Sequence, residues 1–224
     1  MSSRFIAKME DVLAVYQRPY DPRYPVICMD EKGKELRATP PNRPDLPAEP
    51  NKAGAESRRQ DYEYRREGSL NLLVACEPLR GWRKIWISPY RDGRTFARHL
   101  QQLVDEEYPE AERIVLVTDN LNIHGIWSLY DEFPPEEARR IAQKLEWHYT
   151  PEHGSWLNKD EIELSALDRQ CLDRRMESEE MLRRECEAWE KQRNQQAVKI
   201  HWQFKAEDAR IRLRRLYPVI EDRT

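Results

Sequence analysis

Three acidic residues stand where a folded chain could bring them together. Asp30 ends the apolar run Tyr24-Pro25-Val26-Ile27-Cys28-Met29, Asp119 ends Arg113-Ile114-Val115-Leu116-Val117-Thr118, and Glu161 opens a segment that reads as a helix. Two strands that each deliver an aspartate, with a helix that delivers a glutamate, make a cluster of hard oxygen donors. Such groups repel one another at close range unless a divalent cation lies among them, so Mg2+ or Mn2+ is the natural occupant. A catalytic pair of ions ~3.5–4 Å apart needs a shared ligand. Asp30 is the candidate for that bridge, with Asp119 and Glu161 each completing one ion's shell. Taken singly, an acid at a strand end is a turn or cap residue; three in this order on a strand, strand, helix pattern point to a site.

The rest of the chain supplies the elements that must hold them. Phe5, Ile6, Met9, Val12, Leu13 and Tyr16 fall at helical spacing and predict a docked helix ending before Pro19. Tyr62–Arg65, Leu70–Glu77 and Trp82–Ser88 read as β-rich runs that form an antiparallel meander with the first strand. Helices are expected over Thr95–Glu107, Ile126–Tyr130 and Pro134–Lys144, the last opening with prolines and acids, and Leu145–Tyr149 is the final strand. Right-handed crossovers then place the strands of Asp30 and Asp119 side by side at the sheet centre, pointing the same way. Thr39–Gln60, with Pro40, Pro41, Pro44, Pro47 and Pro50 and almost nothing apolar, is expected to be a long, irregular, exposed loop. Ser178–Ala197 is a charged helix with Met181, Leu182, Cys186 and Trp189 on one face, and a last helix starts near Glu207. The expected division is a docking helix over 1–20, a catalytic α/β domain over 21–170 and a helical extension over 171–224.

At 224 residues, 39% hydrophobic and 35% charged, the chain can hold one good-sized core beneath a heavily charged surface. No apolar run approaches the ~20 residues of a membrane span, and the N-terminus lacks a signal-peptide layout, so a cytoplasmic protein with no membrane partner is expected. Cys28, Cys76, Cys171 and Cys186 stand far apart in sequence without metal-binding spacing, and read as reduced structural thiols. A net charge of −3 leaves no general basic footprint for nucleic acid. Arg210, Arg212, Arg214 and Arg215 form a local basic patch, for which a phosphate contact and a solvated helix face are both open.

The runs Cys-Met-Asp-Glu at 28–31, Thr-Asp-Asn-Leu-Asn-Ile-His at 118–124 and His-Gly-Ser-Trp-Leu-Asn at 153–158, followed by Glu161, resemble the three signatures of mariner-superfamily DDE transposases. The fit is best to the bacterial insertion-sequence branch of the IS-six-thirty type. The similarity extends from about Met9 to Tyr217 and takes in Trp202-Gln203-Phe204 and Asp208-Ala209-Arg210. It implies an RNase H-like α/β fold, a mixed five-stranded sheet flanked by helices with a helical C-terminal extension. It also implies that Asp30, Asp119 and Glu161 are the catalytic, metal-binding triad, using two Mg2+ or Mn2+ ions and no organic cofactor. The implied activity is metal-dependent DNA strand cleavage and strand transfer, with transposon ends and TA-containing target DNA as substrates. Relatives carry helix-turn-helix modules ahead of this domain, whereas this chain starts close to its first catalytic strand. A homodimer or a separate helix-turn-helix protein is therefore the expected partner. Two other readings stay open: an inactive or truncated transposase fragment that binds or assembles, and a stand-alone RNase H-like nuclease.

Near the third carboxylate, Glu163 and Asp160 compete with Glu161. Two positions turn a helix by about 200°, so Glu161 and Glu163 cannot both face the cluster; the family register favours Glu161. Lys159 and Asp160 stand where relatives carry small or apolar residues, and each needs a partner if buried. Glu31 should point to the opposite face of its strand and be structural. His124 could contact the scissile phosphate or order a bound water, and Asn120 could orient Asp119, with loop-ordering hydrogen bonds as the equal alternative. Trp156 reads as a core anchor rather than a stacking platform.

Overall fold

A computed structural model describes residues 3–40, 46–50, 56–59 and 63–218. The strands are β1 (Val26–Ala38), β2 (Leu46–Pro50), β3 (Glu56–Arg59), β4 (Arg65–Glu77), β5 (Trp82–Ser88), β6 (Ile114–Thr118) and β7 (Leu145–Tyr149). Helix α1 (Ser3–Val15) precedes them; α2 (Gly93–Gln102) joins β5 to β6, and α3 (Trp127–Glu132) and α4 (Pro135–Gln143) join β6 to β7. After β7 come α5 (Asp160–Leu167), α6 (Glu179–Gln195) and α7 (Ala206–Arg212). Among the described residues no helix is long and apolar enough to cross a membrane.

Five strands form one mixed sheet in the order β5-β4-β1-β6-β7, with β4 antiparallel to β1 and β5, and β6 parallel to β1 and β7. This is the sheet the sequence leads one to expect, and β1 lies at its centre. Side chains alternate across each strand, so the sheet has two apolar faces. Ile27, Met29, Leu116 and Ala75 meet Phe96 and Leu100 of α2, Leu129 of α3 and Ile141 of α4. On the other face, Cys28, Val115 and Val117 meet the stripe of α1, while Leu72 and Val74 meet Leu164 and Leu167 of α5 and Leu182 and Trp189 of α6.

Two expectations change. Strand β1 does not stop at Asp30: it continues to Ala38 because β4, which reaches back to Arg65, pairs with it throughout. Asp30 instead marks where the parallel partner β6 runs out, since the last β1–β6 pair is Met29 with Thr118. Within 39–60, β2 and β3 form an antiparallel two-stranded ribbon where an irregular loop was expected. A ribbon of two strands consists of edges, and there proline need not interrupt a ladder. The exposure expected of that segment, and residues 41–45, 51–55 and 60, lie outside the described residues. The cysteines, distant in sequence, are all buried free thiols, and Cys28 is directly opposite Cys76 across β1 and β4.

Helix α6 lies along the outer edge of the sheet and satisfies β5 with side chains. Asn194 accepts from Arg83 N and donates to Arg83 O, both at 2.8 Å. Glu190 accepts from Ile85 N at 2.7 Å, and Arg183 donates to Ile87 O at 3.0 Å. The charged face of a long helix thus supplies the donors and acceptors that a sixth strand would have offered.

On the opposite side of the sheet, His99 of α2 stacks on Trp86 with ring centroids 5.3 Å apart, and its buried Nδ1 has no hydrogen-bond partner. Burial pulls its pKa down to about 4. The folded state therefore keeps this ring neutral while the unfolded chain takes up a proton below about pH 6.5. Stability from this source is full above pH 6.5 and is lost as pH falls toward 4, by up to about 3 kcal/mol. Replacing His99 with Phe, which keeps the stacking, should flatten the fall in unfolding free energy between pH 6.5 and 4; denaturant melts across that range measure it.

Candidate active site

The parallel register of β1 and β6 decides the geometry: one step past the Met29–Thr118 pair, where β6 ends and β1 runs on, Asp30 and Asp119 stand side by side. Asp30 Oδ1 accepts from Glu31 N at 2.7 Å. Asn158, buried in the turn before α5, donates to Met29 O at 2.8 Å and reaches Asp30 Oδ2 at 3.5 Å. That turn is thereby fastened to β1 beside the aspartate. Burial, joined by the charges of Asp119 and Glu161, raises the pKa of Asp30 to about 6 against the pull of Glu31 N–H and His124. Asp30 thus feels both of the other carboxylates.

Asp119 is held by His124. The ring Nδ1 contacts Asp119 Oδ1 and lies 3.2 Å from Thr118 Oγ1, while Nε2 is 3.3 Å from Glu31 Oε1. The ring also packs on Phe96 at 4.5 Å between centroids. Burial alone would lower the His124 pKa, but Asp119 and Glu31 overcome it and raise it to about 9, so the ring is an imidazolium at neutral pH. In return, Asp119 and Glu31 are both held below the usual carboxylate range despite their own burial. Glu31 shares the sheet face of Met29, opposite Asp30, yet it is tied to the site because His124 reaches past the end of β6 to join the two acids. Arg91 donates to Glu31 from its other side at 2.6 Å. Asn120 turns away from Asp119 to α1, where its Oδ1 accepts from Lys8 Nζ at 3.0 Å.

The three acids of α5 have separate environments. Glu163 is fully buried between Arg83 Nη2 at 2.9 Å and Arg193, which donates at 3.0 and 3.1 Å. Glu161 is exposed on the opposite side of the helix, and its charge is felt at Asp30. Asp160 is fully buried, and neither carboxylate oxygen has a hydrogen-bond partner of ordinary geometry; the Cys76 thiol is only a weak neighbour. Burial, with Asp30 nearby, drives its pKa well above the usual range. Lys159 is buried too, with Nζ 3.9 Å from the centroid of the Tyr16 ring. An aromatic face is its partner. Exchanging Asp160 for Ala removes an unsatisfied group that costs about 1–3 kcal/mol. The melting temperature should rise by roughly 2–12 °C, as read by circular dichroism; an unchanged value would mean that Asp160 is satisfied.

Next to Asp119 is a cleft of about 330 Å³ lined by Asn120, Leu121, Thr150, Pro151 and His153. Its floor is a tight turn in which His153 has φ 61°. A Cβ on Gly154 would meet Pro151 Cγ at 2.5 Å, so the turn admits only glycine there. Trp156 is not a core anchor: it is 45% exposed, edge-on to Phe204, because the following Leu157 takes the inward position. Arg210 forms a forked pair with Glu10 of α1 at 2.9 and 2.7 Å, while Arg212, Arg214 and Arg215 are exposed. Sequence reasoning missed Asn158 as the tie to β1, although it ends a run already singled out, and Arg83, for which a charged residue inside a β-rich run gave no signal.

Among the described residues, no three His, Cys, Asp or Glu side chains are drawn together to metal-holding distances. The donors fit a hard divalent ion in kind, since all three are carboxylates and Asp30 carries the mutual repulsion that such an ion relieves.

A central parallel strand pair that projects two aspartates, a helix that offers a glutamate and a mixed sheet between helical layers define a class. Residues 25–183 match the family model described as DDE superfamily endonuclease, and the chain belongs to that family. The fold is that of Mos1 transposase, which is RNase H-like: the chain superposes on the Mos1 Strand Transfer Complex with a TM-score of 0.52 at 15% identity, covering 87% of this chain and 56% of that one. On the Mos1 transposase paired-end complex with left transposon end, the TM-score is 0.50 at 15% identity, covering 88% of this chain and 59% of that one. The chain therefore spans less than three-fifths of the length of those transposase chains. No curated protein matches it.

Proposed function

We propose that this chain is the catalytic domain of a DNA transposase of the mariner superfamily, in its bacterial IS-six-thirty branch, and that it works in the cytoplasm on transposon ends and TA-containing target DNA. The observation that carries this reading is the register that sets Asp30 and Asp119 side by side where the β1–β6 pairing ends, with Asp30 feeling the charges of Asp119 and Glu161. Asp30 and Asp119 would hold two Mg2+ or Mn2+ ions from the sheet, and Glu161 would hold them from α5. When bound, these ions activate an attacking water or DNA 3′-hydroxyl and stabilise the leaving oxygen. The chain itself supplies alignment: His124 fixes the carboxylate of Asp119, and Asn158 fixes the turn that delivers α5. Exposed Arg212, Arg214 and Arg215 supply phosphate contacts, whereas Arg210 is committed to Glu10. A second copy of the chain, or a separate helix-turn-helix protein, selects the element ends.

The test is nicking of supercoiled plasmid by the purified chain with Mn2+ and with EDTA. Weak, metal-dependent nicking with little sequence preference is expected, together with loss of nicking in Glu161→Gln and its retention in Asp160→Asn. Absence of nicking in wild type would favour a non-catalytic binding or assembly protein. Cleavage confined to RNA–DNA hybrids would favour a stand-alone nuclease.

A further inference from the structure

We infer that Glu163 is the positioning residue for the third carboxylate: clamped by Arg83 from the sheet and by Arg193 from α6, it sets the roll of α5 and so keeps Glu161 directed toward Asp30. The inference rests on the metal-site reading above. Glu163 is 0% and Arg83 1% exposed, so the pair lies wholly within the protein. Both oxygens of Glu163 are engaged: Oε1 accepts from Arg83 Nη2 at 2.9 Å and Arg193 Nη2 at 3.0 Å, and Oε2 accepts from Arg193 Nε at 3.1 Å. A planar guanidinium fork meeting a carboxylate edge fixes direction as well as distance.

A buried ion cluster adds little net stability, because desolvation offsets most of its attraction; its attested use is to select one arrangement. Here the arrangement at stake is helical roll. Helix α5 has only eight residues, and apolar packing by Leu164 and Leu167 leaves its first turn to be oriented by other means. The Asp160 carboxylate, in that same turn, has no hydrogen-bond partner, while its N–H donates to Asn158 Oδ1 at 3.1 Å. Because Glu161 and Glu163 differ by about 200° in direction, anchoring one inward aims the other outward. Arg193 is itself steadied by the Trp189 ring, 5.0 Å away, and by Arg83 Nη1, which donates to the Arg193 carbonyl at 3.1 Å. Arg193 lies outside the 25–183 segment that carries the family match. Helix α6 is therefore part of the machinery that prepares the site.

The experiment measures Mn2+ affinity by electron paramagnetic resonance, with far-UV circular dichroism as the check on folding, for wild type, Arg193→Met, Glu163→Gln and Asp30→Asn. Arg193 is partly exposed and Glu163→Gln is isosteric, so these variants disturb packing least. Each folded variant at 193 or 163 should bind Mn2+ about 10-fold more weakly than wild type, and raising Mn2+ should restore its plasmid nicking. Wild-type affinity in either folded variant would overturn the inference. Failure of both to fold would assign the triad to stability alone and overturn it equally. Asp30→Asn binding Mn2+ as tightly as wild type would instead overturn the metal-site reading, and the inference with it.

Discussion

Replacing Arg83 with Met is expected to lower the unfolding free energy by about 3–5 kcal/mol, the range for removing one partner of a buried ion cluster. Arg83 donates from Nη1 to Gly81 O at 2.7 Å and Arg193 O at 3.1 Å, and from Nη2 to Glu163 at 2.9 Å and Val198 O at 2.7 Å. Methionine fills similar space but takes the donor from the Gly81 and Val198 carbonyls, leaves the Arg193 carbonyl with only the Val198 N–H at 3.4 Å, and leaves Glu163 with Arg193 alone. In urea the midpoint should drop sharply with an unchanged slope. A loss below about 1 kcal/mol, the worth of one ordinary hydrogen bond, would show that water takes over the role of the guanidinium.

Asp30→Asn is expected to show the opposite stability sign together with the largest functional loss. Removing the carboxylate proposed to bridge two ions should reduce cleavage by about 10³-fold, corresponding to several kcal/mol of transition-state stabilisation. Yet the same carboxylate is ionised in the fold at a cost, because burial and two neighbouring acids raise its pKa to about 6. The neutral amide removes that cost, so stability at pH 7 should rise by up to about 3 kcal/mol. The gain should shrink as pH falls through 6, since the native acid then becomes neutral too. A variant that loses cleavage and stability together would indicate a structural role for Asp30. Plasmid nicking and urea melts on the same preparation separate the two cases.

How much of this was legible beforehand depends on the range of the interactions. The adjacency of Asp30 and Asp119 follows from strand order and crossover handedness, which leave patterns in the sequence, and it is seen in the β1–β6 register. The stripe of α1 and the apolar face of α6 were legible for the same reason, being periodic. The extension of β1 beyond Asp30 was not, because Glu31 to Lys34 are held in the strand by their partner β4 rather than by their own apolarity. Trp156 misled because hydrophobic type predicts burial only on average, and a short turn has room for one inward side chain. Arg83 and Glu163 join residues 80 positions apart, and local sequence carries no record of such a pairing. His124 was singled out by spacing alone; its link to Glu31 needed the end of β6 to be known.

The side chains of α6 that occupy the outer ladder of β5 have a bearing on assembly. An open strand edge is a template on which a strand from another molecule can add. Here Asn194, Glu190 and Arg183 already use the groups at Arg83, Ile85 and Ile87 on which such addition would depend. Copies of this domain therefore cannot merge their sheets through β5 while α6 stays in place, and any association on that side must be made by helix surfaces and loops. Deletion of α6 would do more than shorten the chain: it would turn a sealed border into an adhesive one.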